Sequence, residues 1–205
     1  MSALAFAIRV VCMAAVAAIL GTPGIARATD TGNGFQGGVL AGIGPTEPLS
    51  TQLMVGAWVG APLGKRWQVE LSGTYRDGFD RHTDLYRFLK SEQLLDTKNA
   101  IADRTLWTGD VALRFVPLRG KLALLQSSLG AFALHTGVGA GVRATESLDG
   151  VRAATLPAGL LAAGIDFLPG NVLIVRLDTR LVGHQRFDDS VGVLAEVLLG
   201  IGGRL

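Results

Sequence analysis

Three histidines are the side chains best suited to proton chemistry near neutral pH, and two of them sit beside acids. His82 lies between Asp80 and Asp84, and His184 precedes Asp188 and Asp189. An imidazole with a carboxylate can act as a general base, or the set can hold a weakly bound cation. Both sets fall in polar stretches that read as solvated loops, where His and acids are ordinary. The third, His135, lies in a Gly- and Ala-rich segment and is expected to meet Asp110 as a satisfied buried pair. Val138-Gly139-Ala140-Gly141 lacks the third glycine and the following helix of a dinucleotide site. Gly-x-Ser-x-Gly, His-Glu-x-x-His and Gly-Lys-Ser/Thr are all absent. The sequence therefore assigns no catalytic, cofactor-binding or metal residue.

The elements that must carry these residues are constrained by composition. Of 205 residues, 49% are hydrophobic and 18% charged, which excludes intrinsic disorder. A single Cys excludes a disulfide-stapled module. The 28 glycines are about twice the usual share. Arg9, the apolar stretch Val10 to Leu20, and Ala26-Arg27-Ala28 have the order of a secretory signal, so residues 1–28 read as a signal peptide. Cys12 precedes most of that stretch, so it is not a lipoprotein cysteine. The remainder, 29–205, loses Arg9 and Arg27, and its 17 basic residues then equal its 17 acidic ones. Nucleic-acid binding is left without an electrostatic motive.

Residues 29–205 alternate with period two. In Arg66–Arg76 the even positions are Arg66, Gln68, Glu70, Ser72, Thr74 and Arg76, and the odd ones Trp67, Val69, Leu71, Gly73 and Tyr75. A strand sends these sets to opposite faces. The pattern recurs in 107–115, 172–182 and 191–205, and less clearly in 35–43, 53–61, 131–143 and 158–168. Pro62-Leu63-Gly64, Val116 to Gly120, and Pro169-Gly170-Asn171 read as tight turns. The joins 44–50, 77–103, 145–152 and 183–190 are longer and polar.

Alternating short and long joins between eight strands fit an all-β, up-and-down antiparallel transmembrane β-barrel. The apolar faces of the clearer strands carry no Asp, Glu, Lys or Arg. The opposite faces hold Glu70, Asp110, Asp166, Asp178 and Glu196 with Arg66, Arg76, Arg114, Arg176, Arg180 and Arg204. A charge facing lipid at the midplane costs about 2–4 kcal/mol, so this segregation points to an outer-membrane location with the ions sealed inside. The narrow lumen would be plugged by a hydrogen-bonded network. Trp67, Tyr75, Trp107 and also Trp58 suit interfacial positions. Leu205 stands where such barrels usually end in an aromatic residue.

The segment Phe115 to Gly141, with Pro117-x-x-Gly120-Lys121 ahead of a strand ending in Gly139-x-Gly141, resembles the outer membrane β-barrel domain proteins common in myxobacteria. That resemblance implies a membrane barrel and no catalytic residues. In loop 77–103, Leu85, Phe88, Leu89 and Leu95 within 84–96 have helical spacing, so a partly helical outer loop is expected, able to cap the barrel or meet a protein partner. The expected function is a structural or interaction role without catalysis or cofactor. Its partners would be membrane lipids and, during assembly, the insertion machinery. Two alternatives remain open: a lipid-modifying enzyme using a loop His with an acid, and a soluble lipocalin-like carrier with its apolar face inward.

Overall fold

The computed structural model describes residues 34–46, 50–76, 80–82, 91–92, 103–124, 128–147, 152–170, 172–187 and 189–204. The signal-peptide reading of 1–28 and the helical reading of 84–96, apart from 91–92, lie outside them. Among the described residues there are nine strands: β1 Gln36–Thr46, β2 Ser50–Pro62, β3 Trp67–Tyr75, β4 Asp80–His82, β5 Asp103–Leu124, β6 Ser128–Ser147, β7 Ala153–Leu168, β8 Leu173–Gln185 and β9 Val191–Arg204.

Every pairing is antiparallel, and the order β1-β9-β8-β7-β6-β5-β3-β2 returns to β1. The short β4 pairs with the start of β2 and so prolongs the line of β3. The molecule is a closed, eight-stranded, up-and-down barrel. Sheet formation follows from alternation: β8 and β9 switch between exposed and buried at nearly every residue.

The strands outrun their sequence-based limits in several places. Asp80–His82, expected in the long loop, is strand. Val116 to Gly120, expected as a tight turn, is part of β5, and the segment that carries the family resemblance is therefore not turned at Pro117. Phe115 pairs with Thr136 and Leu118 with Leu134, so Val116 and Pro117 together face His135 alone. Such a bulge accepts a proline, which has no N–H to give to the ladder. The neighbouring Val116 N–H donates instead to the Arg66 carbonyl at 2.8 Å, towards β3. The β5–β6 hairpin then projects beyond the barrel wall.

The two other short joins turn as expected. Gly64 and Gly170 have φ of 119° and 106°, backbone that side-chain-bearing residues avoid. The Leu63 N–H donates to the Trp67 carbonyl at 2.8 Å.

The core is the barrel interior, and it has two sectors. Leu40, Met54, Trp58, Leu168, Ile174 and Leu198 form a buried apolar cluster on one side. Charged side chains of β3, β5, β7 and β8 dominate the other, beside a smaller apolar cluster of Ala112, Ala158, Leu160 and Val182. Glycines of β6, β1 and β9 make room: a Cβ on Gly139 or Gly202 would sit 2.5 Å or 2.3 Å from the neighbouring strand's carbonyl oxygen.

Candidate functional site

The interior is ionic and nearly sealed. Glu70, Asp110, Asp166, Asp178 and Glu196 are buried there with Arg76, Arg114, Arg143, Arg176 and Arg180. Five carboxylates thus meet five guanidinium groups, and the buried set is formally neutral. All five cations are Arg, whose planar fork can bond two carboxylate oxygens at once.

The pairs brace the barrel across its width. Glu70 on β3 accepts from Arg176 on β8, four places away in a ring of eight. Arg176 also forks onto Asp166, Nε to Oδ1 at 2.6 Å and Nη2 to Oδ2 at 3.1 Å. Its guanidinium carbon lies 3.7 Å from the centre of the Trp58 ring, joining the ionic and apolar sectors. Arg114 Nη2 stands 2.6 Å from Asp178 and 2.7 Å from Glu70. Arg180 reaches Asp178 at 3.1 Å and the Ser72 hydroxyl at 3.1 Å. Nearer the long loops, Arg76 donates to Glu196 at 2.6 Å.

An unpaired buried charge costs several kcal/mol, so each strut holds strands at a fixed separation only while both ends are present.

His135 is lumen-facing as expected, but its partner is not Asp110. Asp110 pairs in register with Gly141, six residues along β6, and lies 4.0 Å from Arg180. Arg114 Nη1 stands 2.8 Å from His135 Nδ1. A guanidinium only donates, so a ring nitrogen of His135 accepts, and Nε2 lies 3.5 Å from Asp166.

The other site readings change more. His184 belongs to β8 and is 3% exposed, facing the lumen rather than a solvated loop. Asp189 is exposed at the hairpin tip, where its carboxylate accepts from Gln185 Nε2 at 2.8 Å. The two are therefore not brought together, and Asp188 lies outside the described residues. His82 and Asp80 fall in β4 and Asp84 outside the description. Among the described residues, no group of three His, Cys, Asp or Glu side chains is placed to hold a metal ion.

Arg66 was expected inside but is exposed at the β2–β3 turn, because β3 begins one residue later. Trp58 was expected at an interface but is 2% exposed inside the apolar cluster. Even spacing from Gln52 through Met54 to Trp58 carried that signal, although the sequence left both faces of β2 possible.

The outer surface is the inverse of the interior. Val59, Leu71, Val111, Val138, Leu161, Leu199 and Ile201 are each more than half exposed, and Leu177 is exposed beside them. Trp67 packs on Phe115 with ring centroids 4.8 Å apart at one end of β3, and Tyr75 pairs with Trp107 at the other. Eight residue steps separate these aromatic levels: about 26 Å along the strand, or about 20 Å along the axis at a tilt of ~40°. A soluble carrier needs the opposite arrangement, an apolar interior beneath a polar surface. Inverted polarity in a closed wall defines a transmembrane-type barrel.

No protein-family model matches the chain, and no curated protein does. Among solved structures it is similar to the N-terminal β-barrel domain of Pseudomonas aeruginosa OprF, at 9% identity and a TM-score of 0.47, covering 85% of this chain and 99% of that one. It is also similar to neisserial surface protein A, at 10% identity and 0.46, covering 83% and 94%. Ail, the attachment invasion locus protein of Yersinia pestis, matches at 12% and 0.41, covering 84% and 99%. The barrel assignment rests on the strand pairing described above.

A cavity of about 210 Å³ opens at the end bearing the short turns, lined by residues that include Gln36, Gln68, Arg119, Lys121, Asp166 and Arg204. Sequence reasoning missed it because Arg119 and Lys121 read there as turn residues.

Proposed function

We propose that this chain is an integral outer-membrane barrel with a structural or interaction role, no catalysis, and a lumen plugged by its own Arg–carboxylate network. The observation that carries the reading is the inverted polarity: buried Arg176, Glu70 and Asp166 beneath an exterior of exposed Leu71, Leu177 and Leu199. In water that surface would drive association, whereas acyl chains accept it. The short turns then face the periplasm and the long joins the outside, and residues 1–28 serve as the export signal. Membrane lipids are the permanent partners, with the insertion machinery engaged during assembly. Loop 77–103 is the surface offered to a protein partner. The resemblance carried by Pro117, Gly120 and Lys121 is compatible with membership of the myxobacterial barrel family.

Cell fractionation with heat-modifiable gel mobility tests this reading. The protein is expected in the outer-membrane fraction, migrating faster before boiling than after. Single cysteines at Leu71, Leu177 and Leu199 are expected to react with a bilayer-confined reagent and to resist a water-soluble one. Recovery as a soluble particle without detergent overturns the proposal. Planar-bilayer recordings test the plug, and a steady ohmic conductance would refute it.

A further inference from the structure

The ionic residues fall into two populations. The central lumen is formally neutral, with five buried guanidinium groups against five buried carboxylates. The mouth at the short-turn end is not. Arg119 and Lys121, two apart on β5, pair with Ala133 and Ala131, which continue the lumen-facing set that includes His135. Across the mouth, Arg204 on β9 pairs with Gln36 on β1, on the same inward-facing parity as Leu198 and Leu40. Three cations therefore converge on one cavity, and Asp166 is the single carboxylate among its described lining residues. The fork of Arg176 already occupies both oxygens of Asp166, at 2.6 Å and 3.1 Å. The mouth thus carries an excess of positive charge over a neutral floor.

Two buried polar atoms point to a ligand independently of charge. Gln36 and Gln68 line the cavity, and Gln36 Oε1 and Gln68 Nε2 are buried without a hydrogen-bond partner. Gln68 is admitted by Gly60, since a Cβ there would lie 1.8 Å from its amide nitrogen. One orphan is an acceptor and the other a donor. A buried amide left without a partner costs roughly 1–3 kcal/mol, so a bound group carrying both an oxygen and a hydroxyl would relieve both.

We propose that the short-turn mouth binds a phosphate ester: Arg119, Lys121 and Arg204 hold the phosphate oxygens, Gln68 donates to one of them, and Gln36 accepts from a hydroxyl of the esterified alcohol. Three cations on two sides suit a group with several anionic oxygens better than a lone carboxylate. Two sources share this chemistry, a glycerophospholipid headgroup and a soluble phosphate ester.

The test uses the full-length barrel folded in a phosphate-free maltoside detergent, with the Gly120 and Lys121 amides followed by NMR at constant ionic strength. Glycerol 3-phosphate and short-chain phosphatidylglycerol are titrated separately. Saturable shifts are expected for at least one ligand, weakened about tenfold or more in the Arg119→Gln/Lys121→Gln double variant. Tighter saturation by the lipid identifies a headgroup as the source, and tighter saturation by glycerol 3-phosphate identifies a soluble ester. Heat-modifiable mobility reports whether the double variant folds, and Arg204→Gln provides a second variant if it does not. No saturation by either ligand, or unchanged saturation in the folded variants, overturns the proposal. Neither outcome bears on whether the barrel spans a membrane, which fractionation reads separately.

Discussion

The two sectors of the lumen solve the same packing problem by opposite chemistry. On the side of β1, β2 and β9, Leu40, Met54, Trp58 and Leu198 fill space by contact alone. On the side of β3, β5 and β8, Glu70, Arg114 and Arg176 fill it with struts that depend on exact complementarity of charge. Apolar filling fails gradually, by the volume removed. Ionic filling fails abruptly, because deleting one group strands its partners in a medium where they cannot be hydrated. The two meet where Arg176 lies on Trp58.

This contrast can be broken in order of expected effect. Arg176→Met keeps much of the volume but takes the guanidinium fork from Asp166, leaves Glu70 to Arg114, and should cost about 3–5 kcal/mol in urea unfolding of the micelle-folded barrel. Leu198→Ala, which leaves only a void, should cost about 2–5 kcal/mol by the same measurement, and its Glu70–Arg176 strut should persist. Val197→Arg, midway along β9 on the outer face, should cost about 2–4 kcal/mol in lipid vesicles but much less in micelles, where the head can snorkel. Arg104→Ala breaks the half-exposed pair with Glu146 at 2.6 Å and should shift stability by less than about 1 kcal/mol. Equal losses for Arg176→Met and Arg104→Ala would dissolve the distinction between sealed and open pairs.

What could be read from sequence follows the same division. The strands β3, β8 and β9 and the charged half of β5 were legible because one face carries no charged residue and the other carries Glu70, Arg114, Arg176, Asp178 or Glu196. The apolar sector was not, because β1 and β2 put Gly, Ala and aliphatic residues on both faces. Trp58 and Met54 look no different in sequence from the outward Val55 and Val59. His184 was misplaced because β8 continues three residues beyond its clear alternation, and Pro117 marked a bulge where it looked like a corner. Partners across the lumen, such as Glu70 and Arg176, are set by strand order and shear, which no local pattern encodes. The phosphate-type mouth needed β1, β3, β5 and β9 placed together before its three cations became neighbours.

The joining of β1 to β9 has a consequence for how the molecule is made. Along one edge of β1, residues such as Gly38 and Leu40 meet Trp58 and Gly56 of the next strand, but along the other they find their neighbours only in Gly202 and Gly200, more than 150 positions downstream. Until that last ribbon has arrived, both margins carry bare amides and carbonyls that oil cannot satisfy, so a partly translated wall has no stable resting place inside a bilayer. Completion is therefore all or nothing. Whatever escorts the chain must shield both margins until they zip together.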